Sequence, residues 1–181
     1  LKIKRILYLS FYYPPDLSAG SFRNFSIVSK ISDLSNSDIH VDLLTTIPNR
    51  YSSFNSNKID NKELKYINVV RFEIPKHKSG IIDQSRSFLK YAYSVKKYVR
   101  DRDYDIIFAS SSRLMTAFLG ALIASKKEIN LFLDIRDIFL DTIGDLFKGF
   151  KKKLIIIFFN QIEKYTFNNA TSVNIVSEGF R

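Results

Sequence analysis

The sequence predicts an α/β chain built on an open, mostly parallel sheet flanked by helices. Three observations predict it. Short apolar, β-prone runs alternate along the chain with longer stretches of helical periodicity. Polar residues gather after the carboxyl end of nearly every apolar run, as they do where parallel strands feed helices. The chain has 181 residues, 45% hydrophobic and 25% charged, which suffices for one core and makes a single domain over 1–181 the expectation.

The elements follow in order. Ile6, Leu7, Tyr8 and Leu9 form the first predicted strand. Pro14-Pro15 cannot continue it, because proline has no amide hydrogen for the ladder. Phe22, Phe25, Val28, Ile31 and Leu34 recur at i+3 and predict the buried stripe of an amphipathic helix. Ile39, Val41 and Leu43 alternate with His40 and Asp42 as a second strand, and Thr45-Thr46 leaves it. Residues 48–65 have little periodicity and predict an irregular loop. A third strand is expected over Val69–Ile74, stopped by Pro75, and a helix over about Ser85–Arg100 carrying Phe88, Tyr91, Val95 and Tyr98. Asp105–Ala109 predicts a buried strand, Leu114–Lys126 a helix, Leu131–Ile135 a strand, Lys151–Asn168 a helix and Ser172–Val176 a sixth strand. No helix follows that strand to cover the sheet, so the expectation is a chain whose next element lies beyond Arg181.

Cysteine is absent, which removes disulfides, thiolate metal sites and a cysteine nucleophile. Two histidines, His40 and His77, build neither a histidine-rich metal centre nor a Ser/His/Asp arrangement. A net charge of +10 favours acidic partners: phosphorylated substrates, an anionic membrane or nucleic acid. No helix-turn-helix, zinc finger or aromatic RNA-binding motif supports the last of these. The apolar run after Lys2, Lys4 and Arg5 is broken at Ser10 and by Pro14-Pro15, too short for a signal peptide. The run Leu154–Phe159 falls far below the roughly 20 residues that cross a bilayer. The chain is expected to be cytoplasmic and soluble, or peripheral on the inner face of the membrane.

The candidate site residues lie where parallel strands would end. Residues 11–23 leave the first strand and enter a helix, whose free amides favour anions. The stretch holds Asp16, Ala19, Gly20 and Arg23 but neither Gly-x-Gly-x-x-Gly nor Gly-Lys-Ser/Thr. Thr45-Thr46, Ser110 to Arg113, Arg136-Asp137 and Ser177-Glu178 converge on the same edge. Asp137 suits a general base toward a hydroxyl, and equally a helix cap or an ion pair with Arg136 or Arg23. Arg23 and Arg136 suit bidentate grip on phosphate or carboxylate; Ser111 and Ser112 suit a ligand or a helix cap. Phe150, Lys151, Lys152 and Lys153 set basic charge beside bulky apolar residues, a pattern for an anionic membrane surface and also for a solvated helix start.

Six segments, in order, resemble the N-terminal half of family 4 glycosyltransferases of the GT-B fold, in the branch that builds O-antigen, capsule and related bacterial surface polysaccharides. They are Tyr13-Pro14-Pro15-Asp16 with Ala19-Gly20 and Arg23; Thr45-Thr46-Ile47-Pro48-Asn49; Val70-Arg71-Phe72-Glu73-Ile74-Pro75; Tyr104-Asp105 through Ser112; Asp134-Ile135-Arg136-Asp137-Ile138-Phe139; and Glu163 to Ala170 followed by Val176 to Arg181. Phe139-Leu140 stands where the family has Trp-Pro, and the opening loop has one glycine where many relatives have two. The resemblance implies a Rossmann-like acceptor-side domain of a retaining transferase that moves a sugar from a nucleotide-sugar donor to a saccharide, often one carried on a polyprenyl diphosphate. It implies no metal or other cofactor. A C-terminal domain, expected beyond Arg181, would hold most of the donor, and this half alone would be inactive. In that reading Asp137 is catalytic, and Asp16, Ala19, Gly20, Arg23, Ser111, Arg136 and Glu178 bind substrate. The competing expectation is a non-enzymatic basic α/β module for nucleic acid or an anionic surface.

Overall fold

Strands and helices alternate along the chain. The computed structural model describes residues 4–34, 38–47, 64–75, 81–111, 114–136 and 149–175. The order is β1 (Lys4–Leu9), α1 (Ala19–Leu34), β2 (Ile39–Thr46), β3 (Ile67–Phe72), α2 (Ile81–Val99), β4 (Ile106–Ser111), α3 (Leu114–Lys127), β5 (Asn130–Ile135), α4 (Gly149–Asn168) and β6 (Ser172–Ile175). The strands form an open, Rossmann-like sheet in the order β3-β2-β1-β4-β5-β6. The pairs β1–β2, β2–β3 and β5–β6 are parallel. The chain comprises two compact units, Leu1–Ile106 and Ile107–Arg181.

In the first unit the end of β1 is buried on both faces: Leu7, Tyr8 and Leu9 have no exposure, the pattern of a parallel strand covered on each side. Tyr8 reaches α1 through a hydrogen bond to Asn24. Phe11, beyond the strand end, packs on Phe88 and Tyr91 of α2. Register places Leu7 beside Asp42 and Asp42 beside Asn68. Asp42 is buried and accepts hydrogen bonds from Asn68 (2.7 Å) and Tyr104 (2.8 Å), with the Arg5 guanidinium at 3.5 Å. A buried carboxylate persists only when paired. Alternation alone places Asp42 with the polar, outward positions; its three partners explain why it sits inside.

The expected α1 stripe is corrected. Phe22 is 57% exposed and Leu34 68%, and of the five predicted positions only Val28 is buried. The buried face is Gly20, Ser21, Asn24, Val28 and Ser32, spaced mostly by four. Steps of three residues turn about 300° and drift around the cylinder by about 60° each time, so a long i+3 series cannot stay on one face. Small and polar side chains make up most of the buried face, Phe25 and Ile31 are half-buried, and Phe22 and Leu34 face outward. Other boundaries moved less. β3 begins at Ile67, where it pairs with Val41, and α2 begins at Ile81. Thr45 and Thr46 lie within β2. The predicted loop over 48–65 falls almost wholly outside the described residues.

In the second unit Phe108 of β4 and Phe132 of β5 stack with centroids 5.1 Å apart. Most of α3 is buried, through Leu114, Thr116, Ala117, Leu119, Gly120, Ala121, Ile123 and Ala124, and Phe118 meets Tyr165 of α4 edge-on. α3 closes on Glu128 in the left-handed region (φ 55), with the Ile129 amide donating to the Ala124 carbonyl at 3.0 Å, a Schellman-type stop. Asp134 is buried and takes a 2.7 Å hydrogen bond from Asn174, directly across from it on β6. The same Asp–Asn cross-strand pair joins β2 to β3. In both places it links an inner strand to its outer neighbour, and slipping either register by one residue would strand a buried carboxylate. Among the described residues no helix is long and apolar enough to cross a membrane.

Candidate functional site

The site of the first unit is built where β1, β2 and β3 end. Ser10 extends the β1 ladder by one bond, its amide donating to Leu44 O at 3.1 Å. The chain then turns away, and each step of the turn is held. Ser10 Oγ donates to Tyr12 O, and Thr46 Oγ1 donates to Phe11 O at 2.8 Å. Pro14-Pro15 is a cis peptide, and the Asp16 amide returns to Tyr13 O at 3.1 Å. Asn24, one turn into α1 and without exposure, donates to Ser10 Oγ and Tyr12 O and accepts from Tyr8 Oη at 2.9 Å. Because Tyr12 offers a carbonyl, the Asn24 amide must present its NH2 group there.

Ser18 caps α1: its Oγ accepts from the Ser21 amide at 3.1 Å, as a helix-capping serine does. The amides of Ala19 and Gly20 are then the ones that helix geometry leaves without an intrahelical acceptor. Gly20 is buried, so its missing side chain is what lets the backbone sit where it does.

Arg71, at the carboxyl end of β3 and opposite Thr45 in register, holds the other side of the loop. Its Nη2 donates to Pro14 O at 2.6 Å, and its guanidinium lies 5.7 Å from the centre of the Tyr13 ring. Burial lowers the Arg71 pKa, while Tyr13 and Asp16 act against that shift. Burial also pushes the Tyr13 phenol up to about 12, with Arg71 pulling the other way. Tyr91 Oη donates to Leu44 O at 2.8 Å from beneath, and burial raises its pKa strongly. The loop is thus a rigid wall, pinned by α1, β2, β3 and α2.

The Tyr13 shift carries a pH dependence. A phenol whose folded-state pKa lies above its unfolded value of about 10 holds its proton more tightly when folded. Stability is therefore full below pH about 10 and falls as pH rises from about 10 to about 12. Tyr13 Oη is also buried without a hydrogen-bond partner. Tyr13→Phe is expected to leave stability at pH 7 unchanged or slightly raised, and to make the alkaline limb shallower. Urea unfolding between pH 7 and 11.5 measures both; an alkaline limb as steep as wild type would show that this phenol is not the buried group titrating there.

Of the expected site residues, the first unit brings together Asp16, Ala19, Gly20 and Arg23 on one loop and the first turns of α1. Asp16 is buried, 4% exposed, and its charge opposes the lowering of the Arg71 pKa. Thr45 and Thr46, expected at the site edge, hold Phe11 O from below. In the second unit Ser111 is buried at the carboxyl end of β4, and Arg136 follows β5 directly, half-buried. Asp137 and Glu178 lie outside the described residues. So do the side chains of Phe150, Lys151 and Lys152, which occupy the first turn of α4; Lys153 is exposed. Among the described residues no three His, Asp or Glu side chains cluster to hold a metal. Sequence reasoning missed Asn24 and Arg71. A signal existed for Arg71, a cation in the strand expected to end at the same edge; a buried asparagine in a helix has none.

No family model matches the chain, and no curated protein matches it. Solved structures do. UGT89C1 of Arabidopsis thaliana in complex with UDP superposes with a TM-score of 0.54 at 16% identity, over 96% of this chain and 45% of that one. A UDP-N-acetylglucosamine 2-epimerase gives 0.54 at 13% identity, over 98% and 43%. The C-terminal domain of a hydrogenase from Pyrococcus furiosus gives 0.50 at 12%, over 75% and 93%. The likeness is one of fold: this chain has the Rossmann-like domain architecture that these structures share. It spans less than half the length of UGT89C1 and of the epimerase. A hydrogenase domain shares the fold as well, so function rests on the site.

Proposed function

We propose that the chain is the acceptor-side domain of a family 4, retaining, metal-independent sugar transferase, acting with a second domain that holds the nucleotide-sugar donor. One observation carries the reading: the loop from Ser10 to Gly20 is pinned from four elements as a wall at the carboxyl edge of the sheet, ending in a buried glycine at a helix N-terminus. Such a wall is preorganised for a phosphorylated ligand delivered from outside. The fold shared with UDP-sugar enzymes supports it. In this reading Gly20 admits the donor diphosphate, Arg23 binds substrate beside it, and Arg136, in the second unit, is a substrate-binding residue. Asp137 engages the acceptor hydroxyl, while Ser111 and Glu178 line the substrate path. The acceptor is a lipid-linked saccharide of a cell-surface polysaccharide, with Phe150, Lys151, Lys152 and Lys153 near the membrane.

Transfer of radiolabelled sugar from nucleotide sugars to lipid-linked acceptors, by this domain joined to its donor-binding half, tests the reading. Asp137→Asn is expected to lower turnover more than tenfold at unchanged thermal stability. Wild-type turnover in that variant would remove Asp137 from the chemistry, and robust transfer by residues 1–181 alone would overturn the two-domain reading.

A further inference from the structure

Helix α2 separates two faces cleanly. Phe88, Tyr91, Val95 and Val99 are buried. Opposite them, Arg86, Leu89, Lys90, Tyr93, Lys96, Lys97 and Arg100 are all exposed. At about 100° per residue these seven fall within an arc of about 120° centred on Tyr93. The arc holds five cations and no carboxylate; the one acidic residue of the helix, Asp83, lies outside it in the first turn. Arg100 meets Asp101 just beyond the helix end at 3.4 Å. At the middle of the arc, one turn apart, Leu89 and Tyr93 are each 65% exposed.

A solvated helix face needs no large apolar side chains at its centre, and a nucleic-acid face would not gain from a leucine there. A cationic rim around an exposed leucine and tyrosine is the composition of a helix that lies in a membrane interface. We propose that the outer face of α2 docks on an anionic lipid bilayer, with Leu89 and Tyr93 entering the headgroup region and Arg86, Lys90, Lys96 and Lys97 contacting lipid phosphates. The chain's charge of +10 complements that surface. The proposal does not depend on sugar transfer, and it names a surface distinct from the first turn of α4.

The chain contains no tryptophan, so Tyr93→Trp introduces a single reporter. With phosphatidylglycerol vesicles its emission is expected to shift to the blue, and with phosphatidylcholine vesicles to stay put. In flotation with phosphatidylglycerol vesicles, Lys90→Glu/Lys97→Glu and, separately, Leu89→Ser/Tyr93→Ser are each expected to weaken partitioning at least tenfold, with the circular dichroism spectrum and melting temperature of wild type. Lys96→Gln/Lys97→Gln gives a milder charge test should a reversal disturb folding, with a severalfold loss expected. Vesicle binding without a Tyr93→Trp shift overturns the proposal, as does a shift confined to Phe158→Trp, a reporter on an exposed position of α4. So does unchanged partitioning of Leu89→Ser/Tyr93→Ser. Salt-sensitive binding of DNA or RNA that survives Leu89→Ser/Tyr93→Ser, with no binding to vesicles, would assign the face to nucleic acid and overturn the proposal as well.

Discussion

In the proposed two-domain transferase, Gly20→Val is expected to depress turnover more than tenfold. Gly20 is the second residue of α1, it is buried, and it stands beside a capping serine that already occupies the Ser21 amide. A valine there must place two methyl groups where the wall now has only backbone. If a donor diphosphate approaches this helix N-terminus, the methyl groups displace it by more than an ångström, and misplacement of that size costs on the order of 100-fold when geometry supplies the rate. Gly20→Ala separates approach from folding. Alanine raises helix propensity by up to about 1 kcal/mol, so a variant that melts no lower than wild type but turns over slowly places the defect at the donor. Steady-state kinetics of both variants, with melting temperatures, is the measurement. Wild-type kcat and KM in Gly20→Val would remove this glycine from the site.

Asn24→Ala is expected to cost about 2 kcal/mol. The Asn24 side chain has no exposure and bonds three groups of the opening segment: Tyr8 Oη, Ser10 Oγ and Tyr12 O. Ser10 Oγ and Tyr12 O stay bonded to each other without it, so the loss is that of a buried hydrogen-bond hub rather than of three orphaned groups, about 1 to 3 kcal/mol against a total stability of about 5 to 15 kcal/mol. Asn24→Asp makes the argument sharper, because it keeps the shape and removes only the NH2 donor. Its carboxylate would face the Tyr12 carbonyl, oxygen against oxygen, so at pH 7 it is expected to lose about as much as alanine. Urea midpoints of the two variants measure this. An Asp variant as stable as wild type would show that the donor to Tyr12 is dispensable. Since the same network positions residues 10–16, both variants are also expected to loosen the wall.

Much of the architecture could be read from the residues, and the reasons are local. Apolar runs such as Ile6–Leu9 and Leu131–Ile135 are too short and too β-prone for helices, and Pro14-Pro15 and Pro75 mark where ladders stop. The alternation of such runs with helical stretches carries the parallel α/β class, because parallel neighbours need a crossover. The position of the loop after β1 was equally readable. Which face each helix buries was not. In α1 Phe22 and Leu34 are exposed, while a glycine, two serines and an asparagine are buried beside Val28. Periodicity records only where apolar residues lie along the chain.

The amino-acid sequence by itself determined the class of fold, the order of its elements and the loop on which a site would be built. Only the tertiary structure decided what holds that loop. Arg71 reaches Pro14 across 57 positions and Thr46 reaches Phe11 across 35, and the buried Asp42 owes its place to Tyr104, 62 positions away. Hydrogen bonds between residues so far apart leave no period or local motif in the chain. They exist only once the parallel sheet has brought the strand ends side by side.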